Sequence, residues 1–290
     1  MDPAFRVFVT AWAWRPDVLA VLITLGTAYT IGWYRLRRQR ARVAQAWRLA
    51  VYLAGLGTVG LALLSPIDTY ASRLFLMHMV QHEILIMVAP PLLLLADPFP
   101  VLIWGLPRTV RRSVRHLLAR GAWVRRVLRA ASWMPVAWGI YVVNLWFWHI
   151  PAAYEAALRN NLLHGLEHLT FFATAVLFWW PIINPAPRLH GQIAYGFRIV
   201  YVLAAAFQNT ALGFTIAVIE RVLYASYAIA PRLWNLSPLD DQAYGGAIMS
   251  EGGMMFLIPL IVLVNQWLKE EERRTHLAEA IALRIKKATQ

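Results

Sequence analysis

Histidines at helical spacing are the residues in this sequence best suited to chemistry. Two pairs, His78 with His82 and His164 with His168, are each separated by four positions. Residues four apart stack on one face of an α-helix, so each pair can present two imidazoles to one centre. Imidazole is the commonest protein ligand for metals, and His149 adds a fifth candidate before the second pair. The pattern indicates a metal site built from different helices.

Acidic residues and methionines near these histidines extend the candidate site. Glu83 and Glu167 each adjoin one histidine pair. A neighbouring residue on a helix points about 100° away, which favours an orienting or proton-relaying role over direct ligation for both. Met79, Met249 and Asp241 are further candidate ligands. Thioether with imidazole suits Cu(I), whereas imidazole with carboxylate suits zinc or Cu(II).

The composition defines the elements that must position these residues. The 290 residues are 59% hydrophobic and only 15% charged, which is too apolar for a soluble domain of this length. The chain has no cysteine, so disulfides and thiolate metal sites are excluded. Its net charge of +13 lies in blocks between apolar stretches. We therefore expect a lipid bilayer as the partner and no nucleic acid.

Seven apolar stretches are long enough to cross a bilayer, which requires about 20 residues. They are Val18–Tyr34, Ala44–Leu64, Leu74–Leu95, Trp133–His149, Leu162–Ile182, Ile193–Ile219 and Ala243–Trp267. The third contains Pro90 and Pro91, which should break or kink it, and the seventh is softened by four glycines. The sequence predicts an all-α integral membrane bundle of seven transmembrane helices.

The basic residues predict the direction in which the chain crosses. Cytoplasmic loops are enriched in Lys and Arg. With an external N-terminus, 22 of the 28 basic residues fall on the inner side, and the external ones are Arg6, Arg15, Arg73, Arg159, Arg221 and Arg232. The split predicts an outside N-terminus and a cytoplasmic C-terminus. It also predicts a seven-helix domain over 1–268 and a cytoplasmic helix or tail over 269–290.

The predicted topology separates the eight histidines into two groups. His116, His190 and His276 fall in inner basic segments, where an exposed imidazole needs no special explanation. The other five lie in the outer part of the membrane on three different helices. Ionisable groups inside a bilayer are costly and by default mark a function.

Three sequence runs resemble one known family. They are HMVQHEILIMVAPPLLLLADP (His78 to Pro98), WFWHIPAAYEAALRNNLLHGLEHLTFFATAVLFWWPII (Trp146 to Ile183) and DQAYGGAIM (Asp241 to Met249). In order and spacing they resemble the CtaG family, the polytopic assembly factors of bacterial caa-type cytochrome c oxidases. The resemblance implies a non-enzymatic, multi-pass protein of the bacterial plasma (inner) membrane that helps to produce active oxidase.

The resemblance also implies a cargo and partners. The family's histidines correspond to the five outer ones here, and its aspartate corresponds to Asp241. The implied cofactor is copper, as Cu(I) or Cu(II), received from an extracytoplasmic copper donor. The implied recipient is the catalytic subunit of cytochrome c oxidase, at its CuB centre. A metallochaperone of this kind should hold copper in a labile site, unlike a closed structural one.

Other classes of function remain open from the residues alone. Histidines on two helices could ligate haem in an electron-transfer bundle. Histidine and aspartate could hold zinc in a membrane hydrolase, with Glu83, Glu167 or Glu251 as the general base. A metal-free transporter is less favoured, because the sequence shows no internal repeat.

Overall fold

The structure of the chain, a computed structural model, describes residues 10–119, 121–231 and 234–288. Arg6 and Arg232, which the charge argument counted as external, lie outside these residues. The regular structure of the described residues is helical, so the predicted all-α class is confirmed. The helices are α1 (Pro16–Arg38), α2 (Ala46–Leu64), α3 (Pro66–Ala71), α4 (Phe75–Glu83), α5 (Ala89–Leu95), α6 (Pro98–Gly105), α7 (Arg108–Leu117), α8 (Trp123–Ala131), α9 (Met134–His149), α10 (Pro151–Arg159), α11 (Asn161–Ile183), α12 (Tyr195–Val218), α13 (Ala225–Ile229), α14 (Pro238–Met255) and α15 (Leu257–Ala288).

Six helical stretches among the described residues are long and apolar enough to cross a membrane. They are Pro16–Arg38, Ala46–Ala71, Phe75–Leu95, Asn161–Ile183, Tyr195–Val218 and Pro238–Arg284. The fourth predicted span corresponds to α9, whose 16 residues reach only about 24 Å, short of a hydrocarbon core of about 30 Å. The chain is a membrane protein with six candidate spans. A seventh crossing and the orientation of the termini stay predictions.

The third span stays continuously helical despite its two prolines. A π-helical turn, Ile84–Val88, joins α4 to α5 just before Pro90 and Pro91. Because Pro90 has no N–H, the carbonyl oxygen of Ile86 loses its α-helical partner. The indole nitrogen of Trp179 on α11 donates to that oxygen at 3.0 Å. A neighbouring helix therefore satisfies the freed backbone group, as a membrane interior requires.

The glycines of the seventh span serve packing and do not break the helix. A Cβ on Gly213 of α12 would lie 2.6 Å from the carbonyl oxygen of Gly246 on α14, and a Cβ on Gly246 would lie 2.7 Å from that of Gly213. The two backbones approach so closely that only glycine fits. α14 ends at Met255, and α15 then runs on to Ala288 through the predicted boundary at residue 268.

The main hydrophobic core lies between the third span and the helices from α9 to α14. A smaller core joins α1, α2 and α6, where Tyr29 and Tyr52 stack with ring centroids 3.7 Å apart. Large apolar side chains on the outside of the spans, such as Phe207 and Leu169, are exposed. In a bilayer these surfaces face lipid. Within this core the histidine rings of α4 and α11 meet, and this contact positions the candidate site.

Candidate metal centre

The first histidine pair lies on α4, inside the main core. His78 is fully buried and His82 is 3% exposed. Their ring centroids are 4.3 Å apart, as expected for residues that stack four positions apart on one helix. Both imidazoles face α11, which carries the second pair.

The second pair lies near the start of α11, together with a glutamate. The Asn160 side chain caps this helix by accepting from the backbone N–H groups of Leu162 and Leu163. The cap fixes the first turn, so His164 and His168 follow at defined positions, with ring centroids 4.3 Å apart. His168 is buried, whereas His164 is half-buried at the rim of the cluster.

Glu167 faces the imidazoles, which the sequence argument did not expect. On a helix with 3.6 residues per turn, Glu167 lies about 60° to one side of His164 and His168 about 40° to the other. All three therefore share the face that meets α4. Glu83 lies about 140° from His78, beyond His82, and so points elsewhere. The spacing from the first histidine of each pair, three residues for Glu167 and five for Glu83, decides which glutamate faces the site.

The donor atoms of the two helices lie close together. The Nε2 atoms of His78 and His164 are 3.3 Å apart. The Glu167 carboxylate lies 3.9 Å from Nε2 of His78 and 3.7 Å from Nε2 of His82. One donor atom from each of His78, His82, Glu167 and His168 falls within 4.8 Å of all the others. A tetrahedral ion with bonds of about 2.0–2.1 Å separates its donors by about 3.4 Å, so small side-chain shifts would close this set around one ion.

His149 joins the cluster from the end of α9. Its Nδ1 lies 2.7 Å from the carbonyl oxygen of Leu145. A carbonyl oxygen only accepts, so Nδ1 carries the proton and Nε2 is left with a lone pair. The His149 ring centroid is 6.1 Å from that of His82. The structure thus brings all five predicted histidines together, with His149 at the edge.

Several donor atoms of the cluster are buried without a hydrogen-bond partner among the described residues. They are Nδ1 and Nε2 of His82, both carboxylate oxygens of Glu167, and the Nε2 atoms of His149 and His168. An unsatisfied buried polar group costs about 1–3 kcal/mol. A bound cation would explain why so many unpaired donor atoms lie together, because it would accept their lone pairs. Imidazole with carboxylate is a donor set for a divalent transition metal.

Two tyrosines that sequence reasoning missed orient His78. Its Nδ1 lies 2.7 Å from the hydroxyl of Tyr154 on α10 and 2.8 Å from that of Tyr227 on α13. The Tyr227 hydroxyl donates to the carbonyl oxygen of Ala71 at 2.8 Å. Burial raises the pKa of Tyr227 well above its ordinary value, which keeps that proton in place. Its oxygen can therefore accept the Nδ1 proton of His78 and leave Nε2 to a metal.

A carboxylate outside the cluster holds the segment that carries Tyr227. Glu155 on α10 accepts from the backbone N–H and the hydroxyl of Ser226, at 2.8 and 2.6 Å. Partial burial alone would raise the pKa of Glu155, but these hydrogen bonds and the Arg159 guanidinium outweigh it and lower the pKa below its ordinary value.

Asp241 has a structural place in this arrangement. Its two carboxylate oxygens accept from the backbone N–H groups of Phe75 and Leu76, at 2.8 and 3.0 Å. These groups belong to the first turn of α4, where N–H groups lack helical partners. Asp241, fully buried on α14, thus caps the helix that carries His78 and His82. It is not among the donor atoms that lie together.

The remaining candidate residues lie in the hydrophobic core, against α14 or beyond the far end of α11. Met79 and Met249 are buried in the hydrophobic core. The carboxylate of Glu83 packs against Gly252 of α14, where a Cβ would overlap it. Of the remaining histidines, His190 lies beyond the far end of α11, with Nε2 2.9 Å from the Ser132 hydroxyl.

Comparisons with known proteins identify a family for this chain. The sequence model of a family described as cytochrome c oxidase caa3 assembly factor (Caa3_CtaG) matches residues 27–270. An uncharacterized protein of Mycobacterium tuberculosis is 26% identical over 282 residues, and one of Mycobacterium leprae is 25% identical over 286 residues. These matches cover 93% and 92% of this chain but 41% of each relative, so the chain spans about two fifths of their length. No solved structure matches the chain.

Proposed function

We propose, given that the chain belongs to the family of cytochrome c oxidase caa3 assembly factors, that it carries copper to the oxidase in the bacterial plasma membrane. Membership of this family implies a role in assembly that is not enzymatic. The copper cargo and its delivery to the CuB centre of the catalytic subunit are our proposal. The supporting observation is the set of buried donor atoms on α4 and α11 that have no hydrogen-bond partner in the part of the chain that the structure describes.

The donor set is one to which copper binds with high affinity. Imidazole and carboxylate suit Cu(II) and zinc, and a given site of this kind binds Cu(II) more tightly than zinc. The four donor atoms that lie within 4.8 Å of one another are imidazole nitrogens and a carboxylate oxygen, so the proposed site does not require the thioether sulfur of Met79 or Met249. A cytochrome c oxidase is itself a copper enzyme, which gives a protein of this family a reason to hold that metal.

The exposure of the imidazoles indicates where an ion would enter and leave the proposed site. His78 is fully buried and His82 nearly so, whereas His164 is half-buried. Nε2 of His164 is 3.3 Å from Nε2 of His78. An ion from an extracytoplasmic donor would meet His164 first and then the buried pair, and it would leave for the oxidase by the same rim. Such a site exchanges its ion more easily than one enclosed on all sides.

A haem site is less well supported by the geometry. Two axial imidazoles must face each other across the macrocycle, which needs open space around the iron. Here the rings of His78, His82 and His168 lie within 5.9 Å of one another, centroid to centroid. The third imidazole fills the space that a porphyrin plane between the other two would need.

The test is the copper content of purified protein. In the double variant His78→Ala, His82→Ala we expect copper bound per chain to fall to background. The control is His116→Ala, His276→Ala, which removes two imidazoles outside the cluster and should retain full copper. Retention of copper by the first variant would refute the proposed site.

Delivery is tested in cells that lack the gene. Cells complemented with the cluster variant should assemble oxidase deficient in CuB, whereas the control variant should restore full copper and activity. Normal CuB content in cells that carry the cluster variant would refute the proposed transfer, even if the protein binds copper when purified.

A further inference from the structure

A basic cavity lies at the opposite end of the protein from the histidines. It encloses about 870 Å³ between the segment that follows α11, the start of α12 and the side of α15. About 22 Å of helix separates His168 from Ile183 at the end of α11. The charged residues and the histidine of the cavity wall are Arg188, His190, Arg198, Glu270, Arg273 and Arg274.

The charge of this cavity is strongly positive. Glu270 pairs with Arg273 at 2.9 Å and with Arg274 at 3.3 Å, so one carboxylate faces four guanidinium groups. The Nε of Arg198 is buried and has no hydrogen-bond partner among the described residues. Burial and the nearby Arg129 lower the pKa of His190, which leaves the arginines as the source of positive charge at neutral pH.

The first turn of α12 adds backbone donors to the same cavity. Tyr195 and Gly196 line it, and Ala194 at the N-cap provides no side-chain acceptor. The N–H groups of a helix N-terminus and the positive end of its dipole favour an anion, phosphate in particular. The Nε of Arg198, on the same helix, supplies a separate donor for such a group, since none of the described residues accepts from it.

An apolar groove continues from the cavity along the membrane-facing side of α9 and α12. It encloses about 680 Å³ and shares His190 and Ile193 with the cavity. Its wall includes Trp138, Phe197 and Ala204. The succession from Phe197 to Ala204 follows α12 towards the middle of the span, which is the direction of an acyl chain in a bilayer.

We propose that the cavity and the groove together bind an anionic phospholipid. The phosphate would lie against Arg198 and the first turn of α12, and one acyl chain would lie in the groove. A soluble phosphate compound would use the cavity but would leave the apolar groove unfilled. The charge of the cavity favours an anionic headgroup over a zwitterionic one.

The experiment measures lipid retention by purified protein with native mass spectrometry. We expect phosphatidylglycerol to bind at least tenfold more tightly than phosphatidylcholine with the same chains. Arg198→Gln should reduce phosphatidylglycerol binding about tenfold or more, because it removes a charge-assisted contact. Arg284→Gln, the same change at an exposed position of α15, should have little effect.

A second variant separates a lipid from a soluble anion. Ala204→Trp fills the groove and should weaken phosphatidylglycerol binding while inorganic phosphate, the second probe, binds as before. Unchanged helical circular dichroism in both variants shows that they fold. Equal binding of the two lipids, or no effect of Arg198→Gln, would overturn the proposal. Displacement of phosphatidylglycerol by inorganic phosphate with no effect of Ala204→Trp would also overturn it, in favour of a soluble ligand.

Discussion

Substitution of Asp241 by asparagine distinguishes a helix cap from a metal ligand. In the structure both carboxylate oxygens accept from backbone N–H groups of the first turn of α4, those of Phe75 and Leu76. An asparagine side chain has one acceptor oxygen, and its NH2 group cannot accept from the second N–H. Asp241→Asn therefore removes the charge and one of the two bonds without changing the shape of the side chain.

The expected magnitude follows from these two bonds. A hydrogen bond to a charged group contributes about 1.5–3 kcal/mol, and a buried N–H left without a partner costs about 1–3 kcal/mol. Since Asp241 is fully buried, solvent does not replace the lost acceptor. We expect Asp241→Asn to lower the free energy of unfolding by about 2–3 kcal/mol, and Asp241→Ala to lower it further because both bonds are lost.

The assay is equilibrium unfolding in detergent, with copper affinity measured on the same samples. The control is Asp240→Asn, the neighbouring exposed aspartate that caps α14 itself through Ser237, which should cost about 1 kcal/mol or less. Copper binding by Asp241→Asn should weaken only in proportion to the loosening of α4. The reasoning is refuted if Asp241→Asn is as stable as Asp240→Asn but binds no copper, since Asp241 would then act as a ligand.

Three further predictions follow from other contacts. Tyr227→Phe removes one of the two hydroxyls beside Nδ1 of His78 and should weaken copper binding about tenfold in a metal titration, because Tyr154 remains as a second partner. An unchanged affinity would exclude this role. Gly246→Ala places a Cβ 2.6 Å from the backbone nitrogen of Ala217 and 2.7 Å from the carbonyl oxygen of Gly213, so it should destabilise the protein by about 1–3 kcal/mol. Gly57→Ala, whose Cβ would meet nothing within 4 Å, should not destabilise it, and equal stability of the two variants would contradict the packing argument. The pKa of Glu155 is lowered in the folded state, so its contribution to stability is present at neutral pH and is lost as the pH falls below about 4.3. Glu155→Gln should flatten that part of the plot of unfolding free energy against pH, and an unaltered plot would show that the hydrogen bonds of the carboxylate contribute nothing.

The sequence predicted the parts of this protein that depend on periodicity. Apolar runs of about 20 residues located six helices that are long enough to span a membrane, because in lipid the backbone must satisfy its own hydrogen bonds. The fourth run gave a shorter helix, since Pro135 lies in the first turn of α9 and Pro151 begins the next helix after the single residue Ile150. Spacing by four positions also placed each histidine pair on one helix face, and the structure sets the two faces against each other.

The tyrosines of the candidate site depend on which helices pack together, and spacing within one helix does not encode that. Spacing within one helix does separate the two glutamates, since Glu167 is three residues after His164 and shares its face, whereas Glu83 is five residues after His78 and does not. Tyr154 and Tyr227 reach His78 from short helices with no periodic signal of their own. One weak signal in the sequence could have found them. Both tyrosines lie in connections between predicted spans on the outer side, at the same depth as the histidines. A buried imidazole needs an acceptor for its second nitrogen, so a search for such side chains at the depth of the histidines would have brought these tyrosines into the candidate site.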